Sequence, residues 1–249
     1  MMGAARTFAA LGAAGLLLAS SGAEAEGLTI GVGGSVDLGT GILDIGQGDL
    51  EVAGTFSAGT EGFDVRHVDI QSGGVLNGDS ALLQVCGDWS NSGTFNPGTG
   101  TVALVDGCLA TAIVSGNTTF GNLDISTTSG RQINFAAFST QTVTGTLSLL
   151  GTVGNLLVLR GSGGGTEPFI DVQGTGGGDF VDVDDIDASA GSPIILGPNS
   201  VKGSNTPGWE LLSAAVPALG LLGVVILMLL MAGGGSRALA RRRETIVAS

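Results

Sequence analysis

The chain has 249 residues, with 22 Asp and Glu against nine Lys and Arg and a formal net charge of −13. Gly numbers 46, Tyr is absent, and 43% of residues are apolar. The acidic balance excludes a surface built to dock on nucleic acid. The apolar share excludes a polar disordered chain, and so much Gly works against long helices.

The first segment, residues 1–25, reads as a secretory signal. Arg6 supplies the positive front, residues 8–19 form an apolar run, and Ala23-Glu24-Ala25 is a small-x-small site with cleavage expected before Glu26. An uncleaved N-terminal anchor is the alternative. Either way the chain is expected to be exported by a bacterial-type route, with signal peptidase as a processing partner.

From residue 26 to 209 short apolar runs alternate with acids: Val36-Asp37-Leu38, Leu43-Asp44-Ile45, Leu50-Glu51-Val52, Val68-Asp69-Ile70. Two apolar side chains on one face and an acid on the other is the pattern of a half-buried strand. The runs are too short for ordinary hairpins and suit the sides of a wound coil. Self-similarity supports this: Gly54-Thr55-Phe56-Ser57-Ala58-Gly59-Thr60 returns as Gly93-Thr94-Phe95-Asn96-Pro97-Gly98-Thr99, two coils of roughly 20 residues further on. A looser echo is Gly145-Thr146-Leu147-Ser148-Leu149-Leu150-Gly151-Thr152. The predicted fold is all-β, a small right-handed parallel β-helix or solenoid, with a β-sandwich as runner-up.

Cys86 and Cys108 stand about one coil apart. Stacked coils lie ~4.8 Å apart and a disulfide needs Cα atoms ~4.4–6.8 Å apart, so the spacing predicts a staple between neighbouring coils, at home in an oxidising compartment. A metal pair or a reactive thiol are the alternatives, and a metal site is poorly served by two cysteines and one distant histidine.

The stretch from Cys86 to Val102, containing Gly87-Asp88-Trp89-Ser90-Asn91-Ser92-Gly93-Thr94-Phe95, resembles a G-x-W-x-N-x-G-T-F segment of large bacterial surface proteins of the adhesin or haemagglutinin-like kind. Asn117-Thr118-Thr119-Phe120, Phe180-Val181-Asp182-Val183-Asp184-Asp185-Ile186-Asp187-Ala188-Ser189 and Asn205-Thr206-Pro207-Gly208-Trp209 are similar to further recurring elements of that family. The resemblance spans about residues 83–209. It implies a β-helical surface module and no particular reaction.

Catalytic signals are sparse. The single histidine, His67, is the one base a Ser-His-Asp triad could use, and no G-x-S-x-G elbow surrounds any Ser. His67 is therefore read as an exposed strand residue beside acids. A polysaccharide-cleaving β-helix would need paired carboxylates, and these cannot be told by spacing from the acids of a soluble strand face. No catalytic residue and no cofactor is assigned, and the chain is read as a non-enzyme. The densest acidic cluster holds Asp179, Asp182, Asp184, Asp185 and Asp187. Asp182, Asp184 and Asp187 are candidate Ca²⁺ ligands, against a plain solvated acidic face. The run Gly161-Ser162-Gly163-Gly164-Gly165 reads as a turn between coils.

Residues 210–243 read as a membrane-sorting segment, with 244–249 a short cytoplasmic tail. Leu211 to Ser236 carries no charge, long enough to span a bilayer core as one transmembrane helix. Arg237, Arg241, Arg242 and Arg243 then hold that end in the cytoplasm. Val216-Pro217-Ala218-Leu219, the apolar stretch and the arginines resemble exosortase-type sorting signals of the PEP-CTERM group, closer to variants beginning Ile/Val-Pro-Thr/Ala-Leu. That resemblance implies an exosortase-like processing enzyme as partner. The expected whole is a membrane-anchored, cell-surface or extracellular protein of structural or adhesive role, with a glycan or surface polymer as a possible ligand.

Overall fold

A computed structural model describes residues 6–7, 27–161 and 166–212. The chain winds as a parallel β-solenoid of about eight turns, and no helix occurs among the described residues. Each full coil contributes three short strands. The first leg joins a ten-stranded sheet: β1 (Arg6–Thr7), β2 (Leu28–Ile30), β4 (Leu50–Val52), β7 (Val68–Ile70), β10 (Trp89–Asn91), β13 (Thr111–Ser115), β16 (Gln132–Phe135), β19 (Leu157–Gly161), β22 (Val181–Asp184) and β24 (Val201–Lys202). The second leg joins a four-stranded sheet in the early coils: β3 (Ser35–Asp37), β5 (Thr55–Ser57), β8 (Val75–Asn77) and β11 (Thr94–Asn96). In later coils it joins a three-stranded one: β14 (Thr118–Phe120), β17 (Thr140–Val143) and β20 (Phe169–Val172). The third leg joins an eight-stranded sheet: β6 (Phe63–Val65), β9 (Leu82–Val85), β12 (Thr101–Leu104), β15 (Asn122–Ser126), β18 (Thr146–Leu150), β21 (Thr175–Asp179), β23 (Ile194–Leu196) and β25 (Trp209–Leu211).

Every pairing between these strands is parallel, which sets the sandwich reading aside, since sandwiches are built from antiparallel sheets. Alternation places apolar side chains inward in register, so like stacks on like from coil to coil. Leu28, Leu50, Val68, Trp89, Val114 and Phe135 form one such column, and all are buried. Each side chain of this kind stabilises the fold by about 1.5–3 kcal/mol when fully buried. No coil could close this core alone, so the repeat is the unit of sequence and the stack is the unit of stability.

The strong echo at 54 and 93 has a structural cause. Thr55 pairs with Val75 and Val75 with Thr94, so the two copies lie two coils apart on the same side. Gly54, Gly74 and Gly93 each stand just before that leg, and a Cβ on any of them would overlap carbonyl oxygens of the coil below. Glycine is what lets the backbones approach there. The looser echo at residue 145 does not occupy the same place. Thr146 begins β18 and pairs with Thr175 in the eight-stranded sheet, so that likeness is coincidental in register.

β1 pairs Arg6 with Leu28 and Thr7 with Thr29, inside the segment read as a signal. The cleavage residues Ala23, Ala25 and Glu26 lie outside the described residues. So do residues 162–165 of the Gly-rich run and the sorting elements Val216, Pro217, Ala218, Leu219, Arg237, Arg241, Arg242 and Arg243.

Candidate functional site

Two corners of the coil differ in length. The corner into the second leg is short in the early coils and closed by glycine. The corner leaving the eight-stranded sheet lengthens in the middle coils to residues 105–110, 127–131 and 151–156. These longer loops stand beside the outward face of the sheet and border a groove of about 520 Å³. Asp64 and Gln84 form part of its surface and are neighbours in the ladder, with Gln84 Nε2 donating to Asp64 Oδ1 at 2.7 Å. Val105, Leu150, Ser126, Thr127, Thr128 and Thr152 complete most of the lining. Gln47 reaches in from the first coil; it holds a positive φ of 62°, a conformation that non-glycine residues adopt at an energetic cost.

Three separate ties hold the loops of this corner. The Cys86–Cys108 disulfide joins adjacent coils, with Cα atoms 5.1 Å apart across 22 residues. Cys86 lies one step beyond the Val85–Leu104 pair, so its register neighbour is Val105, and Cys108 returns to it from within the loop. Closing a loop of that length stabilises by about 3 kcal/mol in the chain-entropy account.

The second tie is Arg131, only 1% exposed. Its guanidinium donates to the carbonyl of Val105 and, through Nη2, to those of Cys86 at 2.7 Å and Gly87 at 3.0 Å. One side chain thus binds the backbone of two coils below its own. Burial pushes its guanidinium below the ordinary value, while the charges of Asp106 and Asp88 pull the other way. No carboxylate of the described residues forms an ion pair with it.

Asp106 is the third tie. Its carboxylate accepts from Thr127 Oγ1 at 2.7 Å, from Thr128 N at 2.7 Å and Oγ1 at 3.1 Å, and from Ser129 N at 3.1 Å. Burial works to raise its pKa, but these hydrogen bonds outweigh it and hold the carboxyl below its usual value. Asn155 adds a bond from its amide to Thr128 O at 2.8 Å.

The other residues singled out in the sequence fall elsewhere. His67 is half-buried in the corner between β6 and β7, not on a strand. Its Nδ1 accepts the Asp88 N–H at 2.8 Å, a structural bond between coils. Asp182, Asp184 and Asp187 have separate partners. Asp182 pairs with Arg160 at 2.7 Å, Asp184 accepts from Ser204 N at 2.6 Å, and Asp187 accepts from Ser189 N at 2.8 Å. Among the described residues no group of three potential metal ligands converges.

The motifs behind the family resemblance form the core. Trp89 is fully buried, edge-on to Phe95 at 5.0 Å and tilted on Phe120 at 5.3 Å. Its Nε1 donates to Thr118 Oγ1 at 3.1 Å, and Asn91 Nδ2 donates to the same hydroxyl at 3.2 Å. The W-x-N and N-T-T-F elements therefore meet across one coil. The two later elements also meet: Trp209 Nε1 donates to Ile186 O at 3.0 Å and Asn205 Nδ2 to Asp185 Oδ1 at 2.9 Å.

These features define, among the described residues, a disulfide-stapled parallel β-solenoid with a reinforced lateral groove. No protein-family model matches the chain, and neither a curated protein nor a solved structure shows detectable similarity to it.

Sequence reasoning missed the groove and Arg131. Arg131 is one of only four basic residues between Glu26 and Trp209, and it sits directly before the apolar alternation of β16. That scarcity was the available signal.

Proposed function

We propose that this chain is an exported component of a bacterial-type cell surface or extracellular matrix, structural or adhesive in role. The observation that carries this is the disulfide between neighbouring coils, since such bonds persist in oxidising compartments. The signal-like front, the basic-ended apolar tail and the resemblance of residues 83–209 to surface modules support the same reading. The coil is taken as right-handed, the hand of nearly all parallel crossover connections. The outward faces suit display. Asn96 Nδ2 donates to Asn77 Oδ1 at 2.8 Å and Asn77 Nδ2 to Ser57 Oγ at 3.0 Å, a ladder along the stack. The proposal assigns no reaction.

The test is the intact mass of the mature protein from native cells after separating membrane from medium. A species starting at Glu26 and ending near Val216–Leu219, released or linked to a surface polymer, supports export with exosortase-like sorting. A species running to Ser249 in the membrane supports a tail-anchored surface protein without that processing. Recovery of the reduced, full-length chain from the cytosol overturns the reading.

A further inference from the structure

The groove beside the eight-stranded sheet is held open by a covalent bond, a buried cation and a saturated carboxylate. Loops left to themselves at this length would carry conformational freedom that a ligand must freeze. Here that ordering is already made, as expected of a preformed binding site, and the volume lies in the usual range of about 300–1,000 Å³.

We propose that this groove binds a segment of a neutral saccharide, which rests on the adhesive reading above and gives it a ligand class. The unspent hydrogen-bonding groups indicate the chemistry. Asp64 Oδ2, the Gln84 carbonyl, the whole Gln47 amide and the hydroxyls of Ser126 and Thr152 have no partner among the described residues. They offer accepting oxygens together with donors from the Gln47 amide and the two hydroxyls, beside apolar patches at Val105 and Leu150. A sugar chain presents hydroxyl donors along its edge and C–H faces between them, and matches both. Among the described residues no Lys, Arg or His lines the groove, so a uronate or phosphate polymer meets carboxylates without a counter-charge. A polycation is poorly served as well, because the Asp106 carboxylate already accepts four hydrogen bonds, leaving Asp64 as the one lining carboxylate with a free oxygen. Gln47 is held in its positive-φ conformation over this end; Gly107 Cα, given a Cβ, would place it 3.8 Å from Gln47 Nε2. Among the described residues no aromatic ring lines the groove, so affinity is weak, with Kd about 0.1–1 mM.

The experiment titrates the purified full chain in detergent micelles with neutral hexasaccharides of β-1,4-glucose, β-1,4-xylose, β-1,4-mannose and α-1,4-glucose. Binding is read by saturation-transfer NMR. Hexagalacturonate and hexalysine are the charged comparators. At least one neutral hexasaccharide is expected to bind saturably. Asp64→Ala with Gln84→Ala weakens it about tenfold and Gln47→Gly about threefold, in line with one to two lost hydrogen bonds each. Gln47→Gly suits the positive φ, so the fold is spared, and a melting curve checks each variant. Thr119→Ala, exposed on another side of the coil, leaves binding unchanged. Absence of saturable binding by all four neutral probes overturns the assignment, as does tighter binding of either charged comparator or binding indifferent to the groove variants. If the groove fails while the mature protein is still found at the surface, the saccharide assignment alone falls; a cytosolic reduced chain overturns the wider reading whatever the groove binds.

Discussion

The two corners of the coil solve the same problem by opposite means. At the corner into the second leg of the early coils the chain turns within a few residues, and Gly54, Gly74 and Gly93 allow backbones of adjacent coils to touch. At the corner leaving the eight-stranded sheet the chain makes longer excursions, and side chains tie them down: a disulfide, Arg131, Asp106 and Asn155. The short corner is stabilised by the absence of side chains and the long one by their presence. The first kind of corner is repeated in sequence, and the second is unique to each coil. A surface that must differ from coil to coil therefore sits at the second.

The long corner depends most on its disulfide. Replacing both Cys86 and Cys108 by Ser should lower stability by about 3 kcal/mol, and reductant should reproduce the loss in the native chain and leave the variant unmoved; thermal melts with and without reductant check this. At the short corner, Gly74→Ala drives a Cβ into Val52 O and Gln71 O and should cost about 2 kcal/mol through forced backbone shifts, read as a lower denaturant midpoint with unchanged slope. Arg131→Met should also cost about 2 kcal/mol, because the carbonyls of Cys86, Gly87 and Val105 lose their donor. Arg131 and the disulfide hold the same loop, so their losses should not add, and a double-mutant cycle by chemical denaturation measures the coupling.

A smaller effect is expected at Asp106. Its folded pKa is held below the ordinary 3.8, so its contribution is fully present above that pH and disappears as pH falls through the folded value. Asp106→Asn should cost about 1 kcal/mol at neutral pH and flatten the acid limb of a stability-versus-pH curve. The smallest change is expected at the exposed Arg66–Asp49 pair, 2.9 Å apart with side chains 47% and 36% exposed. Arg66→Ala should shift stability by less than about 1 kcal/mol, and the shift should shrink in high salt. Asp49 follows the same sign as Asp106, its pKa lowered first by the hydrogen bond from Arg66.

The architecture was legible because it obeys period two and a near-constant coil length. Leu50-Glu51-Val52 announces its burial pattern in three letters, and the echo at 54 and 93 reports two turns of winding. The staple was legible too, though its register was not: Cys108 reaches Cys86 from inside a loop instead of from the stacked position. The groove was illegible for a physical reason. It is composed of residues from Gln47 to Thr152, far apart in the chain and ordinary singly, and brought together only when the coils stack. Arg131 was hidden because a lone arginine before a strand looks like a solvent-exposed charge; its burial depends on carbonyls of two other coils. Conversely, the most conspicuous letters, Trp89 and Trp209, turned inward.

The staple also bears on how such a molecule would yield to tension. A stacked coil unravels under load strand by strand, and each turn released lengthens the chain. The stretch closed between Cys86 and Cys108, a sequence separation of 22, cannot join that lengthening, which withholds about 75 Å of slack at the extended-chain limit. Under tension the turns on either side of the link can pay out, while the turn it closes stays joined at the corner beside the groove.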